Sequence, residues 1–180
     1  GQLIVAAARP NTGKNSSHAS LCAGPGGFIE QGARVMVLAN EERATRVAGR
    51  YLTACCGMSL DEIRKNKSQA EKRIALLKDN LFISDATSWD MDRLEGAVKA
   101  YKPDIVVLDM GDKFAQRTSD KSDVYLKDAA IYARNIAKQY GCAIFYMSQL
   151  SAEAENKVVL NQSMMEGSRT GKAAEADLMI

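Results

Sequence analysis

The sequence has little histidine, few cysteines, almost no net charge and no long apolar run, and each scarcity excludes something. His18 is the only histidine in 180 residues, so a histidine-based metal cluster or a catalytic triad has no partners to draw on, and packing or solvent contact is its expected role. The four cysteines, Cys22, Cys55, Cys56 and Cys142, show no C-x-x-C spacing and sit in apolar or helical surroundings. That pattern points to reduced thiols in a cytoplasmic protein rather than a disulfide frame or a zinc site. A formal net charge of +2 gives no global basic character, so any surface for nucleic acid must be a local patch. No apolar run approaches the roughly 18 residues of a membrane span. The first residues read as a strand rather than a charged leader, so no signal peptide is expected. The chain stops inside the apolar run Leu178-Met179-Ile180, and a fragment of a longer protein, a single domain over 1–180, is the expectation.

What is present is an alternation of apolar and helical stretches, with no internal repeat and no low-complexity segment. Hydrophobic residues make up 46% of the chain, enough to bury a sizeable core. Continuous apolar runs of strand length fall at 3–7, 34–39, 80–84, 104–109 and 142–147. Runs that are apolar on both faces suit parallel strands covered by helices on both sides. Helices are predicted at about 14–31, 42–57, 68–78, 90–101 and 122–140, the last with Val124, Leu126, Ala130, Ile131, Ala133 and Ile136 on a broad apolar face. Trp89 is expected to anchor the entry of the fourth helix, with Ser88 or Asp90 as its cap. This alternation predicts an α/β fold, a doubly wound and mostly parallel sheet.

Ligands of open parallel sheets bind at the carboxyl ends of the strands. Four polar features converge there. The first follows strand 3–7: Ala8-Arg9-Pro10-Asn11-Thr12-Gly13-Lys14-Asn15, with Ser16 next, compares with G-x-x-x-x-G-K-[ST], whose backbone N–H groups cradle phosphates while Lys reaches the terminal ones and Ser/Thr holds Mg²⁺. Ala8 replaces the first glycine, and Asn15 stands where the metal-binding hydroxyl belongs. The second is Asn40-Glu41-Glu42, where a carboxylate can polarise the attacking water as general base; Glu41, nearer the strand end, is the first candidate and Glu42 the alternative, and either or both also suit a helix start. The third is Asp109, placed to serve a Mg²⁺ water shell. The fourth is Gln149, whose amide can sense a γ-phosphate and pass its presence to the next loop. Two polar loops follow. The loop 111–123 carries Lys113, Arg117 and Lys121 among Asp112, Asp120 and Asp123, and the loop 151–164 carries Asn156 and Lys157. Both suit sequence-independent contact with a phosphodiester backbone. The glycine spacing of Glu166-Gly167-Ser168-Arg169-Thr170-Gly171-Lys172 mimics a second phosphate loop, but no buried strand precedes it.

Taken in order, these elements resemble the RecA-like motor domain of hexameric replicative DNA helicases, the DnaB family and the related bacteriophage primase–helicases. The resemblance rests on Ala8-Arg9-Pro10-Asn11-Thr12-Gly13-Lys14, Asn40-Glu41-Glu42, Val106-Val107-Leu108-Asp109, Met147-Ser148-Gln149-Leu150, and Glu166-Gly167-Ser168-Arg169 leading to Ala176-Asp177. It looks most like a phage version, which would act in the cytoplasm of a bacterial host. It implies a P-loop NTPase that uses ATP and Mg²⁺ to translocate on single-stranded DNA and unwind duplex, as a homo-oligomeric, hexameric ring working with a primase or primase domain. By matching position Lys14 would contact the β- and γ-phosphates, Glu41 would be the base, Asp109 would serve the metal and Gln149 would sense the γ-phosphate. The two polar loops would line the channel, and an arginine finger would come from a neighbouring subunit, beyond Ile180. Asn15 departs from the family: its amide is a bulkier, neutral ligand, and Ser16 is rotated about 100° along the helix. Nucleotide binding with weakened Mg²⁺ affinity and slow hydrolysis is the expectation. A recombinase-like filament ATPase and a nucleotide-gated DNA-binding module with little turnover remain as alternatives.

Overall fold

The computed structural model describes residues 1–9, 12–114, 122–151, 154, 157, 164–165 and 169–180. Six strands, β1 (Gln2–Ala8), β2 (Val35–Ala39), β3 (Leu81–Asp85), β4 (Ile105–Leu108), β5 (Ala143–Gln149) and β6 (Leu178–Met179), form one sheet in the order β3-β2-β4-β5-β1-β6. Every pairing is parallel, as the runs apolar on both faces require. Among the described residues seven helices accompany them: α1 (Lys14–Ala23), α2 (Ala44–Cys56), α3 (Leu60–Lys65), α4 (Lys67–Asn80), α5 (Met91–Tyr101), α6 (Ser122–Tyr140) and α7 (Arg169–Glu175). The chain is thus a RecA-like α/β domain with helices on both faces.

Strand periodicity divides the core in two. Leu3, Val5, Met36, Leu38, Val106, Leu108, Ile144 and Tyr146 face α5 and α6, where Leu94, Val98, Ala133 and Ile136 meet them. Ile4, Val35, Val37, Ile105, Val107, Phe145 and Met147 face the other way, against Ala19 and Cys22 of α1, Val47, Tyr51 and Cys55 of α2, and Leu77 of α4. The connection after β2 therefore runs to one face and the connection after the neighbouring β4 to the other. Their divergence opens a crevice at the carboxyl edge of the sheet, the usual place for a ligand in such folds.

Several predicted boundaries shift, each for a local reason. The helix expected over 14–31 ends at Ala23, because Gly24-Pro25-Gly26 follows and Gly26 takes a positive φ of 70°. The segment 42–57 begins as a helix only at Ala44. Its neighbour α3 opens with a capping box, Ser59 and Glu62 exchanging side-chain and backbone hydrogen bonds. Asp90, not Ser88, caps α5, accepting from Arg93 N at 2.8 Å. The loop expected over 111–123 starts as a 3-10 helix, Gly111–Phe114. Gly111 is required there, since a Cβ would lie 2.5 Å from the Tyr146 ring. On α6, Val124 is exposed while Ala129, Ala130, Ala133, Ile136 and Ala137 form the buried stripe. Arg134 forks onto Asp177 with two 3.0 Å bonds, and Asp177 also accepts from Leu3 N at 2.9 Å. The Ala176-Asp177 pair thus staples the amino end of β1, away from the crevice. All four cysteines are free thiols. Among the described residues no helix is long and apolar enough to cross a membrane.

Candidate functional site

The chain leaves β1 at Ala8, whose carbonyl accepts from Leu150 N at 3.1 Å, and turns through Arg9. Thr12 closes the turn, its Oγ1 donating to the Arg9 carbonyl at 2.7 Å. Pro10 and Asn11 lie outside the described residues. Gly13 takes φ 91° and ψ 13°, a left-handed conformation that side chains disfavour, and its carbonyl accepts from Ser16 N and Ser17 N at 2.9 Å. α1 begins at the next residue with no side-chain cap and no acidic residue in its first turn. Its amide groups and dipole therefore favour an anion.

A cleft of about 280 Å³ opens beside this turn, lined by Arg9, Gly13, Lys14, Asn15, Ser16, Glu41, Glu42, Arg50 and Gln149. Lys14 Nζ lies 3.2 Å from Glu41 Oε2 and 2.8 Å from Met110 Sδ. The other Glu41 oxygen accepts from Gln149 Nε2 at 3.4 Å. Lysine, glutamate and glutamine from three separate strand ends thus meet in one chain of contacts. Glu42 is engaged differently: Arg50 bonds to both its oxygens, at 3.3 and 2.8 Å, and Arg46 lies 3.6 Å away. The two adjacent glutamates are separated in role by their partners. Glu41 is the one facing Lys14 and Gln149.

Asn15 is buried, with Nδ2 3.5 Å from Glu42 Oε1 and Oδ1 unpartnered. A carboxylate only accepts, so the amide nitrogen must face Glu42 and the oxygen is left over. Asp109 follows β4, is fully buried, and has neither carboxylate oxygen hydrogen-bonded. Burial raises its pKa above the ordinary value of 3.8. The Lys14 ammonium and the backbone amides of Glu41 and Glu42 lie close enough to ease that charge, though none is in hydrogen-bonding geometry. With Asn40 Oδ1, buried beside Glu41 and likewise unpartnered, these make four orphaned oxygen acceptors, a set that suits a hard cation.

Of the remaining candidates, Lys113 donates to the Asn40 carbonyl at 3.3 Å and so braces the turn after β2. Lys157 is exposed, and Arg117, Lys121 and Asn156 lie outside the described residues. In the 151–164 loop the described residues include buried ones, Ala154 and Met164, with Ser151 N donating to Met164 O at 2.7 Å. Two residues escaped the sequence reading. Arg50 lines the cleft, and its signal is the Glu42, Arg46, Arg50 spacing of four along one helical face. Lys172, within the segment resembling a second phosphate loop, is fully buried and paired with Asp112 at 2.6 Å, so it faces no phosphate.

His18 packs under the cleft, its Nδ1 3.0 Å from the Tyr51 hydroxyl. Burial, with Lys14 and Arg50 nearby, lowers its pKa from 6.5 to about 4. The folded state then binds fewer protons than the unfolded one. The stabilisation is complete above pH 6.5 and is lost as pH falls toward 4, by about 3 kcal/mol. Denaturant unfolding of the wild type and His18→Gln across that window should show their difference in stability changing by this amount, and a constant difference would refute it.

The family described as DnaB-like helicase C terminal domain matches residues 1–175. No curated protein matches the chain. Among solved structures, one described as an ATPase domain superposes with a TM-score of 0.85 at 15% identity, covering 99% of this chain and 68% of that one. The structure of a DnaB-like replicative helicase and its interactions with primase superposes with a TM-score of 0.83 at 15% identity, covering 99% of this chain and 46% of the other. Likeness at that identity establishes a common fold.

Proposed function

The chain belongs to the DnaB-like helicase C-terminal domain family, and from that premise we propose that it is the ATP-hydrolysing motor of a replicative DNA helicase. It would couple hydrolysis to translocation on single-stranded DNA and to duplex unwinding. The observation that carries this reading is the meeting of Lys14, Glu41 and Gln149 at the cleft, with the unpartnered Asp109 carboxylate beside them.

The site fits Mg²⁺·ATP. Mg²⁺ is commonly held by one or two carboxylates plus substrate phosphates rather than by an all-protein cage. The Asp109 and Asn15 oxygens, buried and without hydrogen-bond partners, are free to serve in that way. When bound, the metal would neutralise charge developing between the β- and γ-phosphates. Lys14 and the amides of α1 would hold the phosphates, and Glu41 would accept the proton of a water whose oxygen attacks the γ-phosphorus. The bond to the β–γ bridging oxygen breaks, and ADP leaves with that electron pair. The Gln149 amide, beside Glu41, would donate to the γ-phosphate and so register its loss.

At about 280 Å³ the cleft falls just below the usual range for small-molecule sites, about 300–1,000 Å³, and suits the polyphosphate better than the whole nucleotide. That favours a site completed by a neighbouring subunit, as in a hexameric ring. The described Lys113 and Lys157, with Arg117, Lys121 and Asn156, remain the proposed DNA contacts, a primase the proposed partner, and the cytoplasm of a phage's bacterial host the proposed setting. An ATPase assay with Mg²⁺, with and without single-stranded DNA, tests the reading. DNA-stimulated turnover is expected, and no ATP binding relative to Lys14→Ala would overturn it.

Asn15 favours a second reading, a nucleotide-gated DNA-binding module of low turnover. Its amide oxygen is a neutral ligand in a shell that demands near-ideal octahedral geometry. Asn15→Thr is expected to tighten Mg²⁺ binding and raise turnover several-fold in the assembled protein. Unchanged turnover would remove Asn15 as a brake.

A further inference from the structure

Lys172 has no part in the chemistry above, yet it is the most completely enclosed charge in the described structure apart from Asp109. Its ammonium lies 2.6 Å from Asp112 Oδ1 and donates to Ser148 Oγ at 3.1 Å. Ser148 Oγ donates in turn to Asp112 Oδ2 at 2.8 Å, and the Tyr146 hydroxyl donates to Asp112 Oδ1 at 3.0 Å. One carboxylate thus collects donors from β5 and from α7, and it stands three residues beyond Asp109.

Burying such a pair costs most of what the attraction returns, and well-packed apolar residues often serve stability as well. Stability therefore does not account for a lysine here, whereas position does. Successive residues on a strand point to opposite faces, so a bond that pins Ser148 also sets the backbone from which Gln149 projects to the cleft. The other edge of the same strand end is tied through Leu150 N to the Ala8 carbonyl, at the root of the phosphate loop. Tyr146, enclosed and hydrogen-bonded to Asp112, leaves room for the 3-10 helix only because residue 111 is glycine.

We infer that Lys172 is a positioning residue for the γ-phosphate sensor: by neutralising Asp112 it lets that carboxylate hold Ser148, and so sets Gln149 against Glu41. This rests on the reading of Gln149 as the sensor. It also gives the Gly171-Lys172 pair, which looked like a phosphate loop, a task one step removed from phosphate.

Removing Lys172 alone would strand a buried carboxylate, so the test uses Lys172→Met with Asp112→Asn in the full chain. The double variant is expected to keep its melting temperature within a few degrees and its affinity for a fluorescent ATP analogue within about twofold. Its kcat should fall about 10- to 100-fold, the scale of a small displacement at a reacting centre. In a Gln149→Ala background the same double change should cost nothing further, since residues acting through one another are non-additive. Wild-type kcat in the double variant, or full additivity with Gln149→Ala, overturns the inference while leaving the ATPase reading intact; a wild-type protein that hydrolyses no ATP overturns both. Should the double variant fail to fold, Ser148→Ala decides by the same two measurements, because it cuts the link without burying a charge.

Discussion

Replacing Glu41 with glutamine is expected to lower kcat for ATP hydrolysis by about 10²- to 10⁴-fold, the range spanned by a positioned general base. The substitution keeps the shape of the side chain and an oxygen for Gln149 Nε2 to bond, now 3.4 Å away, so the sensor is not displaced. It removes the proton acceptor, and it removes the anion 3.2 Å from Lys14. That anion competes with phosphate for the ammonium, so ATP should bind as well as before or more tightly. A fall in kcat with KM unchanged or lowered is the signature of a group acting in the transition state rather than in ground-state binding. Glu42→Gln serves as the comparison. Its carboxylate is committed to Arg50 and Arg46, and its loss should disturb the Asn15 contact and helix α2 more than the chemistry. Steady-state rates with a binding titration separate the two variants. If Glu42→Gln proves the slower enzyme, the roles of the neighbouring glutamates are reversed.

That distinction was only half legible in the sequence. Strand ends could be located because β2, β4 and β5 are buried on both faces and so read as unbroken apolar runs ending in Asn40, Asp109 and Ser148-Gln149. Once the sheet was recognised as parallel, the cleft followed, since all carboxyl ends share one edge. Position along the strand favoured Glu41, but the partner that occupies Glu42 lies two helical turns further on. Lys172 was less accessible still. Its burial depends on Asp112, sixty residues earlier, and on a helix that begins beyond the second polar loop; a lysine between Gly171 and two alanines carries no local mark of being enclosed. The length of α1 was overestimated because residues 28 and 29 look like a continuation of an apolar face, whereas Gly24-Pro25 had already ended the helix. The two-residue strand β6 is too short for periodicity to register. Local signals therefore gave elements and strand ends, while charges paired across the chain needed the fold.

Asp109 carries the other large expectation, one in which stability and function pull apart. A fully buried carboxylate with both oxygens unpartnered opposes folding at neutral pH, and its raised pKa expresses that cost. Because the folded state holds the Asp109 proton more tightly than the unfolded chain, the penalty sets in as pH rises past the ordinary value of 3.8, where the unfolded chain ionises, and is complete above the raised folded value. Asp109→Asn abolishes the charge, and burying a neutral amide costs far less than burying an ion. Measured without nucleotide, the variant should be the more stable protein by about 1–3 kcal/mol, or roughly 2–4 °C of Tm per kcal/mol for a domain of this size. With Mg²⁺ and ATP the order should invert. Ligands that bind only the folded state add stability according to their affinity, and the variant has lost the anion that would draw the cation into place. Its ATPase kcat/KM should drop about 100-fold, as expected when one charge-stabilising group is removed from a reacting centre. Differential scanning calorimetry of both proteins, with and without Mg²⁺·ATP, reads the crossing directly. Equal melting temperatures without ligand, together with an undiminished response to Mg²⁺, would mean that Asp109 is an ordinary turn residue; a crossing would mean that the fold tolerates an unpaired buried charge because the metal completes it.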